Sequence, residues 1–276
     1  DKKYVLIYLF LYVIISVVIF ILKKNNKMKF KDKVAIVTGS SRGIWKATAL
    51  ELAKNWATVV VSSTKLENCT KVVQEIEDFG WKAIAVKCDV SSSDDIKNLV
   101  DTTIKNFGRI DILVNNAWVG PTKAFEELTE EERDFVIDRN LKWTFLCMNE
   151  VIKHMLKQKS WKIVSIASIL WKRWFAHASS YCTTKAAVIN LTRSLAIEYA
   201  SRNININAVA PWFIRTDMTK ESLENDEVSK MLLSHTPAWR FGESEEIAKA
   251  VAFLASDDAS YIHWETLAVD WGRLAY

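Results

Sequence analysis

The chain has 276 residues, half of them hydrophobic and a quarter charged, with a formal net charge of +4; this is the balance of a folded protein and excludes wholesale disorder. The positive charge sits at one end, because residues 1–33 carry +6 and the rest carry −2. A basic stripe across a folded body, the footprint of a nucleic-acid binder, is therefore excluded. One ratio is abnormal: seven glycines stand against twelve tryptophans, where an average glycine content of ~7% gives roughly 19 glycines in a chain of this length.

In chain order, residues 4–22 form a hydrophobic run interrupted only by Ser16. As a helix it would span ~28 Å at about 1.5 Å per residue, close to the ~30 Å hydrocarbon core of a bilayer. Lys23, Lys24, Lys27 and Lys29 outnumber Lys2 and Lys3, which places the body that follows in the cytoplasm. A competing reading is that translation starts at Met28 and that residues 1–27, rich in residue types with A/T-rich codons, are upstream sequence. The segment 1–27 is thus either a single-pass membrane anchor or no part of a cytoplasmic protein, and residues 28–276 form a single domain on both readings.

From residue 34 onward, short β-branched runs recur at 34–38, 58–62, 83–87, 112–115, 163–166, 204–209 and 267–269, the signature of buried parallel strands. Helix-length stretches such as 65–79, 92–107, 129–157 and 180–201 separate them, and 91–95 and 244–246 supply capping residues and first-turn carboxylates. The alternation predicts an α/β fold: a doubly wound parallel sheet of about seven strands, a Rossmann fold, binding its ligand at the carboxyl ends of the strands. Cys69, Cys88, Cys147 and Cys182 are widely spaced, with no CxxC pair and no histidine cluster. Reduced thiols are expected, with no metal site or disulfide framework.

The first strand runs into Thr38, Gly39, Ser40, Ser41, Arg42, Gly43, Ile44 and Trp45, and a helix follows. Such a turn offers backbone N–H groups to a diphosphate at the positive end of a helix dipole. Two glycines before a helix would also suit an ordinary tight turn. Further markers follow in order, however: Asp89 and Val90 after the third strand, Asn115, Asn116 and Ala117 after the fourth, then Ser168, and Tyr181 with Lys185 four residues later. A phenol of pKa about 10 is a poor acid–base catalyst at neutral pH unless its phenolate is stabilised. Lys185, on the same helix face as Tyr181, supplies that charge.

With these motifs, residues 28–276 resemble the short-chain dehydrogenase/reductase family, and within it the β-ketoacyl-[acyl-carrier-protein] reductase and glucose dehydrogenase type. Segments 211–216, 240–247 and 269–272 take part in the match. The resemblance implies an NAD(P)-dependent oxidoreductase that interconverts a carbonyl and a secondary alcohol, and a homotetramer or homodimer. It implies a catalytic tetrad of Ser168, Tyr181, Lys185 and Asn140, with Ser168 holding the substrate oxygen and Asn140 supporting a water-linked proton relay behind the lysine. Gly39, Ser41, Arg42, Gly43, Ile44, Ser63, Thr64, Asp89, Val90, Asn116, Ala117, Tyr181, Lys185, Pro211, Ile214 and Thr216 would line the cofactor. His154, His177, His235 and His263 match no catalytic position; His177 is a candidate only for touching substrate.

An acidic residue at the end of the second strand would bind the adenosine ribose and repel a 2′-phosphate. Here that strand ends Val61, Ser62, Ser63, Thr64, Lys65, with no carboxylate before Glu67. Arg42 and Lys65 can pair with a phosphate, so NADP(H) is favoured, while the serine also tolerates NAD(H).

The resemblance also gives the opening ratio a position-by-position meaning. Trp45, Trp118, Trp212 and Trp271 stand where the family's motifs have glycine, and Trp56, Trp81, Trp143, Trp161, Trp171, Trp174, Trp239 and Trp264 stand where such sequences often have it. The expectation is a gene from a lineage that reads UGA as glycine, decoded with UGA as tryptophan. The leading function is reduction of a carbonyl substrate, either an acyl-carrier thioester or a small polyol, sugar or steroid-like molecule. The alternatives are a catalytically silent NADP(H)-binding sensor or scaffold and, resting on residues 4–22 alone, a membrane-tethered structural protein. Segment 219–236, with its acidic residues, resembles the family's mobile helical lid.

Overall fold

The computed structural model describes residues 28–115, 123–158, 161–173 and 175–275. The hydrophobic run 4–22 therefore lies outside the described residues, as do Asn116, Ala117, Trp118 and Trp174. Among the described residues no helix is long and apolar enough to cross a membrane.

Seven strands form one all-parallel sheet: β1 (Val34–Val37), β2 (Thr58–Ser63), β3 (Ala83–Lys87), β4 (Ile112–Asn115), β5 (Trp161–Ile166), β6 (Ile204–Pro211) and, after a two-residue strand pair described below, β9 (Thr266–Val269). Their spatial order is β3-β2-β1-β4-β5-β6-β9. Each of the seven predicted runs is a strand of this sheet. Successive residues of a strand point to opposite faces, so a strand covered on both sides must be apolar throughout. Strand β1 shows this directly: Ala35 and Val37 pack into one core with Leu52, Ile76 and Val251, and Val34 and Ile36 into the other with Leu99, Met148 and Val151.

The helices that cover these faces are α1 (Gly43–Lys54), α2 (Leu66–Asp78), α3 (Ser93–Phe107), α4 (Glu130–Ile137), α5 (Trp143–Met155), α6 (Ser179–Tyr199), the short α7 (Lys220–Glu224) and α8 (Asp226–Ser234), and α9 (Ser244–Ala255). Ser92 caps α3 by accepting from the Asp95 N–H, and Gly108 closes it in left-handed backbone. Helix α9 differs from expectation: its cap is Glu243, whose carboxylate accepts from the Glu246 N–H while Glu246 accepts from the Glu243 N–H. The predicted helix 129–157 is broken by a π turn over Asp138–Lys142. A separate parallel pair, β7 (Ile214–Arg215) with β8 (Gly242–Glu243), was not foreseen.

The order in which strands are added reverses between β1 and β4, with β2 and β3 extending the sheet to one side of β1 and β4 onward to the other, which opens a crevice at their carboxyl ends. Polar side chains pin the loop there. The Thr38 N–H and hydroxyl both reach the Val114 carbonyl, Ser40 Oγ donates to the Val37 carbonyl, and Ser40 Oγ accepts from the Ser62 N–H. At the opposite end of the sheet Asp111 is buried, accepts from the Val34 N–H and from Arg109, and lies 3.7 Å from the Lys33 ammonium.

Candidate active site

The glycine turn leaves β1 at the crevice. Gly39 and Gly43 have φ of 66° and 57°, left-handed values that glycine adopts without a Cβ penalty. A Cβ on Gly43 would stand 3.4 Å from Thr216 Cγ2 and 3.4 Å from a ring carbon of Trp45, so the indole lies against the turn. Beside it is a cavity of about 200 Å³, bordered by Gly39, Ser41, Arg42, Gly43, Ser63, Thr64, Val90 and Thr216. The structure thus gathers eight of the predicted cofactor residues around one space. Trp45, which ends the glycine-turn motif, also borders it, as do Cys88, Asp217 and Met218, for which the motifs gave no signal.

Asp89 is not on that border. Its Oδ1 accepts from the Ser91 N–H and hydroxyl, and these bonds hold its carboxyl below the usual range. Lys65 is also off the border; it is the cap residue of α2 and is exposed.

A second cavity of about 460 Å³ adjoins the first, sharing Trp45, Thr216 and Met218. Ile44, Ser168, Tyr181, Lys185, Pro211 and Ile214 line it. Ser168 ends β5 and caps a single 3₁₀ turn, its Oγ accepting from the Leu170 N–H. Tyr181 and Lys185 lie one turn apart near the start of α6. The lysine is 2% exposed; its ammonium donates to the Ile166 carbonyl at 2.9 Å and lies 5.7 Å from the centre of the Tyr181 ring. Burial pushes its pKa down to about 7. Much of the remaining wall is apolar, formed by Leu170, Phe175, Trp212, Phe213, Val228 and Met231, with Thr219 and Ser222 adding hydroxyls. Trp212 and Phe213 fall in segment 211–216, and Val228 and Met231 in the lid-like segment 219–236. Leu170 and Phe175 instead follow the end of β5 in a segment without a motif, which is why the sequence did not single those two out.

Asn140 lies in the π turn, the kind of local distortion that recurs at functional sites. Its Nδ2 donates to Thr184 Oγ1 at 3.1 Å, and that hydroxyl donates to the Tyr181 carbonyl at 2.9 Å. The asparagine is therefore tied to the first turns of α6 through Thr184, a contact that the sequence did not reveal. His177 is exposed and lines neither cavity. His263 bridges the Ile206 N–H and the Ala196 carbonyl, a structural role. Cys69, Cys88, Cys147 and Cys182 are all free thiols.

The chemistry of the donor set fits a dinucleotide. A helix N-terminus with two left-handed glycines can offer N–H groups to a diphosphate, and the serine and threonine hydroxyls of the same border can hydrogen-bond a ribose. Trp45, by its bulk, and Asp217, by its negative charge, are the members of this border that oppose the fit.

Residues 39–273 match the family described as enoyl-(acyl carrier protein) reductase. The 3-oxoacyl-[acyl-carrier-protein] reductase FabG of Staphylococcus epidermidis is 40% identical over 242 residues, covering 87% of this chain and 98% of its own. The 3-oxoacyl-[acyl-carrier-protein] reductase of Synechocystis sp. is 42% identical over 246 residues, covering 88% and 98%. Among solved structures, levodione reductase has a TM-score of 0.84 at 34% identity, covering 89% of this chain and 99% of its own, and gox2181 has a TM-score of 0.89 at 32% identity, covering 91% and 99%. The chain belongs to the short-chain dehydrogenase/reductase family of NAD(P)-dependent oxidoreductases.

Proposed function

We propose that the protein reduces 3-oxoacyl thioesters carried on acyl carrier protein, with NADPH as the electron donor and Ser168, Tyr181, Lys185 and Asn140 as its catalytic set. The carrying observation is the buried Lys185 ammonium beside Tyr181, with Ser168 on the same cavity wall. A buried cation without catalytic use is costly, and its position beside a phenol gives it one.

When bound, the nicotinamide supplies a hydride to the carbonyl carbon. Ser168 Oγ and the Tyr181 hydroxyl hold the carbonyl oxygen, and Tyr181 gives its proton to the alkoxide that develops there. The Lys185 ammonium stabilises the resulting phenolate electrostatically. Asn140 and Thr184 position the first turns of α6 and so the tyrosine. Gly39, Ser41, Arg42, Gly43, Ile44, Val90, Asn116, Ala117, Pro211, Ile214 and Thr216 would hold the dinucleotide, and Asp89 its adenine.

The preference for NADPH over NADH rests on Ser63 and Thr64 at the end of β2, where no carboxylate repels a 2′-phosphate, and on Arg42 beside them. The apolar wall of the second cavity suits an acyl chain better than a sugar. Similarity to the FabG proteins supports the same substrate. We place residues 28–276 in one cytoplasmic domain that assembles as a homotetramer or homodimer, supported by the exposed Phe135, Phe145 and Ile197.

The test is NADPH oxidation with acetoacetyl thioesters set against polyols and sugars. Faster turnover of the thioesters is expected; turnover confined to sugars or polyols refutes the substrate assignment.

A further inference from the structure

Among the described residues other than glycine, left-handed backbone falls on tryptophan more often than on any other residue type. Seven described residues other than glycine have φ in the left-handed region. Three of them are Asp32, His177 and Asn203, residue types enriched in that region. The other four are all tryptophan: Trp56 at 76°, Trp239 at 52°, Trp264 at 64° and Trp271 at 51°. Left-handed backbone drives a Cβ against the following carbonyl, a clash that glycine alone escapes.

Three more tryptophans carry a different sign. The indole N–H groups of Trp143, Trp161 and Trp171 are buried and find no acceptor among the described residues, although a buried indole ordinarily has one. Trp239, Trp264 and Trp271 also hold much of their large rings in solvent, being 69%, 51% and 55% exposed. Trp45 lays its ring against the glycine turn, where a dinucleotide would need close approach to the backbone. Positive φ, an unmet N–H and an obstructed turn have one remedy in common: no side chain.

We propose that the cell making this protein inserts glycine at the twelve positions written tryptophan, because it reads UGA as glycine. The same codon decoded as tryptophan yields the written sequence. Trp81, stacked on Phe79, and Trp212, whose Nε1 donates to Thr236 Oγ1, are accommodated by their surroundings and follow the others through the shared codon. With glycine at position 45 the two adjoining cavities lose the ring they share, and the first turn of α1 is open to a diphosphate.

Peptide mass spectrometry on protein purified from its source cell reads these residues directly and independently of any substrate or catalytic rate. Glycine is expected at 56, 239, 264 and 271 and at 143, 161 and 171, with a UGA codon at each. A tryptophan peptide at any of these seven positions, or a UGG codon at any of them, overturns the proposal. A second measurement compares recombinant chains carrying tryptophan or glycine at all twelve positions. The glycine chain is expected to bind NADPH about tenfold more tightly or better, a difference of ~1.4 kcal/mol or more; equal affinity for the two chains overturns the proposal.

Discussion

Lys185 decides how the site responds to pH. Its pKa falls from 10.5 to about 7 because the ammonium is buried. The kcat/KM for carbonyl reduction, which reports groups of the free enzyme, is therefore expected to fall as pH rises through about 7, when the charge that stabilises the Tyr181 phenolate is lost. A profile flat through neutrality would contradict this assignment. The same shift links to stability. Between about 7 and 10.5 the unfolded chain holds this proton and the folded chain does not, so the contribution of this group to stability rises with pH across that window. Lys185→Met should abolish turnover, remove that slope and raise the melting temperature near neutral pH, as seen by thermal denaturation at a series of pH values. The sequence revealed the pairing of Tyr181 with Lys185 because a four-residue spacing puts both on one helix face. It did not reveal how the ammonium is held, since the Ile166 carbonyl comes from the end of β5, distant in sequence.

Among the elements, strands were legible because burial on both faces demands unbroken β-branched runs, as Val34–Val37 and Thr58–Ser63 show. The π turn over Asp138–Lys142 was not, because it depends on which carbonyl each N–H reaches and leaves no periodicity to read. The pair Ile214–Arg215 with Gly242–Glu243 escaped because two-residue strands show no alternation. The cap at Glu243 displaced the expected serine because its carboxylate engages the Glu246 N–H reciprocally, within a network that includes Arg240. Asp111 is a further element-level feature without a sequence motif: it joins the start of β1 to the start of β4 through the Val34 N–H and holds Arg109. Asp111→Ala would leave a buried strand N–H unpaired and is expected to cost about 1–3 kcal/mol. Urea denaturation would show the loss as a lower midpoint, and an unchanged midpoint would remove this role.

For the whole molecule, the fold and its switch-point crevice followed from the alternation of strands and helices, and the motifs along the chain pointed to residues, Gly43, Ser168, Tyr181 and Lys185 among them, that line two adjoining cavities. The tryptophans show what that reading could not supply, because φ and an unmet N–H belong to the folded backbone. Each left-handed non-glycine residue costs about 1–2 kcal/mol, so the four tryptophans with positive φ together cost about 4–8 kcal/mol. That is comparable to the ~5–15 kcal/mol that keeps a domain folded. The chain carrying glycine at all twelve positions is therefore expected to melt at a higher temperature than the chain carrying tryptophan. A lower melting temperature would show that the rings contribute more through packing than their backbone costs.

The most direct test of the catalytic account is the rate of NADPH oxidation with an acetoacetyl thioester by the glycine-bearing chain, alongside its Tyr181→Phe variant. The account predicts turnover by the first and a loss of about 10²–10⁴-fold in the second, the range for removing a general acid. Equal rates for the two chains would contradict it.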